Sequence, residues 1–249
     1  MPVMDGRVVI LAGGKGSRLA PYTTVLPKPL LPVGDRAILD IVLRQLRSCG
    51  FDDVTIAIGH LAHLVRLVLG DGSGHRISIR YHEESEPLGT AGPLGTIEGL
   101  DKTFLMMNGD VLTTLDYAQL MRAHEEAGNA ITIATHRRLV PTDYGVLHVG
   151  EQAGETRRVT AYEEKPELPF IVSMGVYVLE PHVIDYVPKG EAFDLPDLVQ
   201  ALLAAGEPVG SYLYDGYWLD IGRHDDYERA TREYPDLLPR LLPDAADRV

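Results

Sequence analysis

The 249-residue chain has one cysteine, one tryptophan and four phenylalanines, and its 23 lysines and arginines are outnumbered by 36 aspartates and glutamates. A single thiol excludes an intrachain disulfide and any cysteine-cluster metal site. Cys49 falls on the apolar side of a helical pattern, where a thiol acts as a small apolar group rather than a nucleophile. The net charge of −13 leaves no generally basic surface, so nucleic acid and anionic membrane are poor partners. Any anionic ligand must be met by positive groups gathered in a pocket. No apolar run approaches the roughly 18–20 residues of a membrane span. Met1-Pro-Val-Met-Asp-Gly-Arg7 is too short and polar for a signal peptide, so the cytoplasm is the expected compartment. What is there is ordinary for a globular chain: 45% hydrophobic and 24% charged residues, enough for a sizeable core.

Arg7-Val-Val-Ile-Leu-Ala12 is a continuous apolar run ending in glycines, the pattern of a buried parallel strand feeding a loop. Largely apolar runs at 54–58, 103–107 and 130–134, and the strand Ile77-Ser-Ile-Arg-Tyr81, alternate with helical spacing at 38–49, 60–69, 90–100 and 115–127. That alternation predicts an α/β fold with a Rossmann-like, doubly wound sheet, mixed but mainly parallel. From Tyr144 the rhythm changes. Strands at 144–149, 157–163 and 171–179 follow without long helices, an antiparallel extension that adds a wall. A helix at 195–205, a strand at 209–214 and a helix at 224–234 complete one domain over 1–235. Its halves divide near residue 135, and 236–249 reads as a loosely ordered tail.

Gly13, Gly14 and Gly16 directly follow the first strand, where open parallel sheets bind ligands. Glycines let the backbone approach oxyanions and point successive N–H groups inward. Arg18 adds a bidentate phosphate donor and Lys15 a mobile charge. Read alone, the loop fits either a phosphate cradle or a tight turn, because neither the P-loop nor the dinucleotide spacing is met. Lys28 strengthens the first reading, since Pro27 and Pro29 stiffen its backbone. Asn108-Gly-Asp110 ends another apolar strand, and Asp220 lies in apolar Trp218-Leu-Asp-Ile-Gly222. Each aspartate suits either a metal ligand or an ordinary turn or cap. Trp218 reads as packing rather than base stacking.

Leu11-Ala-Gly-Gly-Lys-Gly-Ser-Arg-Leu19 followed by Leu26-Pro-Lys-Pro-Leu30 resembles the signature of the nucleotide-sugar pyrophosphorylases, the sugar-1-phosphate nucleotidyltransferase family. The resemblance extends to about residue 230. It implies that Leu11, Ala12, Gly13, Gly14, Lys15, Gly16 and Ser17 hold a nucleoside triphosphate, with Arg18 and Lys28 on its phosphates. It implies that Asp110 and Asp220 together ligate one Mg²⁺. Within His82-Glu-Glu-Ser-Glu-Pro-Leu-Gly-Thr-Ala-Gly92 the resemblance places Glu84, Gly89 and Thr90, with Asn108, around the nucleotide. Taken by itself that segment is a solvated acidic loop. Tyr144-Gly145, Tyr162-Glu-Glu-Lys-Pro166 and Ser173-Met-Gly-Val-Tyr177 correspond to blocks that hold the sugar phosphate. There Lys165 would meet the phosphate and Glu164 a sugar hydroxyl, while Gly109, Tyr144, Gly145, Ser173 and Gly175 complete the wall. As isolated residues, Glu163, Glu164 and Lys165 are a charged strand end. Ser173 departs from the asparagine that relatives often carry.

Glu84 stands where thymidylyl-transferring relatives have glutamine. A carboxylate only accepts hydrogen bonds, and guanine offers two adjacent donors, whereas uracil and thymine would face it with a carbonyl. Glu84 therefore leans towards guanine, and the segment resembles mannose-1-phosphate guanylyltransferases, leaving adenine open. The implied reaction is attack by a sugar-1-phosphate oxygen on the α-phosphorus of the triphosphate, with Arg18, Lys28, Asp110, Lys165 and Asp220 catalytic. The nucleophile is ionised near pH 7, so no histidine base is required. Glucose-1-phosphate thymidylyl-, uridylyl- or adenylyltransferase, a heptose substrate, a non-catalytic regulatory subunit and homo-oligomerisation stay open. An unrelated dehydrogenase is disfavoured by the incomplete glycine fingerprint.

Overall fold

The computed structural model describes residues 6–84 and 86–243. Residues 1–5 of the polar N-terminus, Ser85 of the acidic segment and 244–249 of the expected tail lie outside them. The strands are β1 (Val8–Ala12), β2 (Pro32–Val33), β3 (Arg36–Ala37), β4 (Asp53–Ile58), β5 (Ser78–Glu83), β6 (Phe104–Asn108) and β7 (Val111–Thr113). After them come β8 (Ile131–Pro141), β9 (Val146–Ala153), β10 (Thr156–Glu163), β11 (Glu167–Leu179), β12 (Val209–Leu213) and β13 (Trp218–Asp220). The helices are α1 (Tyr22–Val25), α2 (Ile38–Ser48), α3 (Ala62–Leu69), α4 (Tyr117–Ala127), α5 (Leu195–Ala205) and α6 (His224–Leu241).

Seven strands form one sheet in the order β12-β8-β11-β6-β1-β4-β5. Every neighbouring pair is parallel except those made by β11, which runs against both β6 and β8. The fold is thus the expected Rossmann-like α/β arrangement with a mainly parallel mixed sheet. Strand periodicity explains the unbroken apolar runs. Val8 and Ile10 enter the core beneath α2, α3 and α4, while Val9 enters the second core beneath α5. Beyond the sheet, β8 and β11 continue paired to Pro141 and Glu167, and β9 and β10 form a separate antiparallel hairpin. This is the antiparallel extension. Among the described residues no helix is long and apolar enough to cross a membrane.

Two expectations fail. The helix at 90–100 is only a 3-10 turn at Gly92–Gly95. Gly92, Pro93, Gly95 and Gly99 oppose a longer helix, and Ala91 and Gly92 donate their N–H groups to Phe193 O at 2.9 Å instead. The loosely ordered tail is instead, as far as Leu241, a continuation of α6, with Pro235 and Pro239 inside the helix. Each proline opposes a helix interior by about 3 kcal/mol. Tyr234, Leu237 and Leu241 bury against Ile38, Ile41 and Leu31, worth roughly 1.5–3 kcal/mol each, which offsets that penalty.

Candidate active site

The ends of β1, β4 and β6 converge on the glycine loop. Gly109 donates to Leu11 O at 2.9 Å, and a Cβ there would lie 3.0 Å from that same oxygen, so glycine is required for the approach. His60 N donates to Gly13 O at 3.2 Å, bringing the end of β4 alongside. Gly16 has φ +60°, and Thr23 Oγ1 donates to its carbonyl at 2.8 Å. Gly14 differs: its φ is not positive and a Cβ would meet nothing within 4 Å. No packing among the described residues requires glycine there.

Lys28 opens a short 3-10 turn between Pro27 and Pro29, and its Nζ forms an ion pair with Asp110 Oδ2. Both side chains are largely enclosed, Lys28 at 11% exposed and Asp110 at 21%. Asp110 Oδ1 is buried with no hydrogen-bond partner. The other aspartate arrives through a contact between short strands. β13 pairs antiparallel with β7, setting Asp220 opposite Val111, and Ile221 N donates to Asp110 O at 3.2 Å. Asp220 opens onto the cleft, yet the surrounding protein and the Asp110 charge push its carboxyl above the usual range, against the pull of Lys28 and Arg18. A Cβ on Gly222 would have Arg18 Nη2, Asp220 Oδ2 and Asp226 Oδ2 each 3.7 Å away. Arg18, Lys28, Asp110 and Asp220 therefore form one cluster. Arg18 takes part in no hydrogen bond or ion pair among the described residues.

Glu84 lies at the loop's other side. A Cβ on Gly13 would fall 2.9 Å from Glu84 Oε1, and Leu88 N donates to Oε2 at 3.0 Å. That bond fixes the carboxylate while leaving most of its lone pairs open. Gly89 has φ +78° and backs onto Asp194 and Phe193. Thr90 is held at the start of α5: its N–H and hydroxyl donate to Asp194 Oδ1 at 2.9 and 3.1 Å, and Leu195 N donates to its hydroxyl at 2.8 Å. Asp194 also caps α5 in a capping box with Asp197, with Pro196 in the first turn.

The sugar-wall residues divide into two groups. Gly175, at φ +74°, sits on a bulge of β11 where a Cβ would lie 2.7 Å from Asn108 Nδ2, which joins it to the β6 end. Ser173 Oγ pairs with Tyr177 Oη at 2.8 Å and accepts from Gly175 N at 3.3 Å. Burial raises the Tyr177 hydroxyl above its ordinary pKa, with the Asp220 charge acting the same way and the Ser173 bond opposing. Trp218 Nε1 donates to Met174 O at 3.0 Å and its ring lies 5.4 Å from that of His136, so it packs as expected. Tyr144, Gly145, Glu164 and Lys165 form the second group. The Tyr162 ring lies against Gly145, its hydroxyl donates to Glu164, and Lys165 has φ +47°. No hydrogen bond or ion pair joins this group to Lys28 and Asp110 among the described residues.

A glycine loop at the strand ends, beside Arg18, Lys28 and two aspartates, is the candidate site of this α/β protein. The chain belongs to the Nucleotidyl transferase family, which matches residues 7–236. It is 33% identical to the UTP--glucose-1-phosphate uridylyltransferase of Synechocystis sp., over 91% of this chain and 62% of that protein. It is also 33% identical to the mannose-1-phosphate guanylyltransferase of Mycobacterium tuberculosis, over 96% of this chain and 67% of that protein. The chain thus spans about two thirds of the length of these relatives. The solved structure of HddC from Yersinia pseudotuberculosis has the same fold, with TM-score 0.70 and 24% identity over 92% of this chain and 99% of HddC.

Proposed function

We propose that the chain is a sugar-1-phosphate nucleotidyltransferase that condenses GTP with mannose-1-phosphate, giving a nucleotide sugar and pyrophosphate. The observation that carries the reading is the cluster of Arg18, Lys28, Asp110 and Asp220 around a buried, unpartnered carboxylate oxygen. Asp110 Oδ1 and the crowded Asp220 suit a divalent cation, which relieves both the orphaned acceptor and the mutual repulsion. Among the described residues no three or more histidine, cysteine, aspartate or glutamate side chains form a metal group. Two carboxylates with substrate oxygens suit Mg²⁺, which binds through few protein ligands and phosphates. Such an ion would supply charge neutralisation at the phosphates.

The glycine loop presents its backbone to the triphosphate, and Gly14, with no internal reason to be glycine, leaves room for it. Arg18 and Lys28 hold the phosphates in line. Lys165, released from the strand end by its left-handed backbone, meets the sugar phosphate. An oxygen of the sugar phosphate forms the new bond to the α-phosphorus as the bond to the bridging oxygen of the β-phosphate breaks, and pyrophosphate leaves with that electron pair. No proton transfer is needed, so alignment and charge cancellation carry the catalysis.

Glu84 reads the base: its fixed carboxylate accepts from adjacent guanine donors and would leave a uracil or thymine carbonyl opposed. A second reading, uridylyl or thymidylyl transfer to glucose-1-phosphate, draws on the uridylyltransferase relative, which is as similar as the guanylyltransferase. A matrix of five triphosphates against glucose-, mannose- and heptose-1-phosphates, scored by pyrophosphate, separates them. GTP with mannose-1-phosphate should lead; a clear preference for UTP or dTTP would overturn the base assignment.

A further inference from the structure

The Glu84 carboxylate is held by Leu88 N, and the stretch from Leu88 to Ala91 is neither helix nor strand. Such a stretch keeps its shape only through bonds to another part of the chain. They run to a distant segment, 193–195. Phe193 N donates to Leu88 O, and Ala91 N and Gly92 N donate to Phe193 O, each at 2.9 Å. At the centre lies Asp194. Its Oδ1 accepts the N–H and hydroxyl of Thr90, and that hydroxyl in turn accepts from Leu195 N, the first N–H of α5. Gly89 makes the approach possible, because a Cβ there would lie 2.7 Å from Asp194 Oδ1 and 2.8 Å from Phe193 O.

We propose that Asp194 is a positioning residue for base selection: by holding Thr90 it fixes Gly89 and Leu88, and so sets the Glu84 carboxylate. This role rests on Glu84 reading the base. Asp194 makes no bond or ion pair with Arg18, Lys28, Asp110 or Asp220 among the described residues, so it acts on the base end of the site alone. A free glutamate side chain gives up rotamer freedom whenever it binds. One already held loses none, and it cannot swing aside to suit a wrong base. The carboxylate of Asp194 suits the task, because charge-assisted bonds are the stronger kind and two donors from one residue fix orientation as well as position. Its own footing is firm. Asp194 is the N-cap of α5, Asp197 Oδ2 accepts its N–H at 3.3 Å, and Leu195 and Leu198 bury in the second core.

The test is base preference, the ratio of kcat/KM for GTP to that for UTP at saturating mannose-1-phosphate. Asp194→Ala should lower the ratio roughly three- to tenfold, the loss expected for one weakened hydrogen-bonded contact, while KM for mannose-1-phosphate does not move. Asp194→Asn keeps an acceptor for Thr90 and should recover most of the ratio. Thr90→Val breaks the hydroxyl bonds from the loop's side and should shift the ratio the same way, even if Asp194→Ala fails to fold. Asp197→Ala removes the other half of the cap on α5 without touching Thr90, so its melting temperature should fall and its ratio hold. Added to Glu84→Gln, Asp194→Ala should cause little further change. An Asp197→Ala that lowers the ratio as much as Asp194→Ala, or an Asp194→Asn no better than Asp194→Ala, would overturn the proposal. A ratio shifted by Glu84→Gln but by neither Asp194→Ala nor Thr90→Val would overturn the Asp194 role and leave Glu84 reading the base. A ratio unmoved by Glu84→Gln would overturn both.

Discussion

Replacing Lys28 by methionine keeps most of the apolar stem of the side chain and removes its ammonium. The ammonium is nearly enclosed and paired with Asp110, whose other oxygen already lacks a partner, and Asp220 adds a second negative charge beside it. Removing one member of a buried pair destabilises by about 3–5 kcal/mol. Because Asp110 keeps some contact with the cleft, we expect the lower figure of about 2–3 kcal/mol. At roughly 2–4 °C per kcal/mol for a chain this long, the melting temperature in EDTA should fall by about 4–12 °C. Mg²⁺ should narrow that gap, since a cation between the aspartates replaces the missing charge. The assay is thermal unfolding of Lys28→Met, Asp110→Asn and the double variant, each with EDTA and with Mg²⁺. The double variant should recover at least about 1 kcal/mol relative to additivity. An unchanged melting temperature for Lys28→Met, or strict additivity, would refute the coupling on which the site is built.

Arg18→Ala should lower turnover roughly 10²–10³-fold, as for loss of one electrostatic donor, with melting temperature unchanged; near-normal turnover would remove Arg18 from the mechanism. Asp220→Asn should raise the melting temperature of metal-free protein at neutral pH. The folded state raises the Asp220 pKa, so its ionised form opposes folding above that pKa, and the gain should disappear as the pH falls through it. Metal titrations of Asp110→Asn and Asp220→Asn should each show a higher Mg²⁺ requirement, and an unchanged curve would count against the metal site. Glu84→Gln should shift the GTP-to-UTP preference towards UTP by roughly tenfold, in keeping with one mismatched polar contact, measured as a ratio of kcat/KM values. Gly175→Ala should lower stability, because the residue has φ +74° and its Cβ would meet Asn108; an unaltered melting temperature would contradict that geometry.

The middle of the sheet was legible because its inner strands are buried on both faces and read as short unbroken apolar runs, as in Val8 to Ala12 and Phe104 to Met107. A loop after the first strand followed from the glycines at its end, which on their own fitted either a phosphate cradle or a tight turn. The meeting of Asp110 with Asp220 was not readable from the residues and came only through family resemblance. It depends on β7 and β13, three residues each and about a hundred positions apart, and short non-local pairs leave no periodicity. The 90–100 segment misled because its apolar spacing suits a helix, while its glycines and the distant Phe193 carbonyl decide otherwise. The end of α6 was hidden by two prolines whose penalty is offset by burial against residues near the other end of the chain. Asp194 and Asp226, which sequence reasoning did not single out, cap α5 and α6, and Asp194 also holds Thr90.

The proposed role of the Arg18, Lys28, Asp110 and Asp220 cluster is to transfer a nucleotidyl group from a triphosphate to a sugar phosphate. Pyrophosphate release tests it most directly, with purified protein, GTP, mannose-1-phosphate and Mg²⁺, followed by the same reaction with Asp110→Asn. Wild type should give pyrophosphate and an equal amount of nucleotide sugar, and the variant should lose most turnover at the same Mg²⁺ concentration. Pyrophosphate from none of the triphosphate and sugar phosphate pairs, with a folded protein, would contradict it.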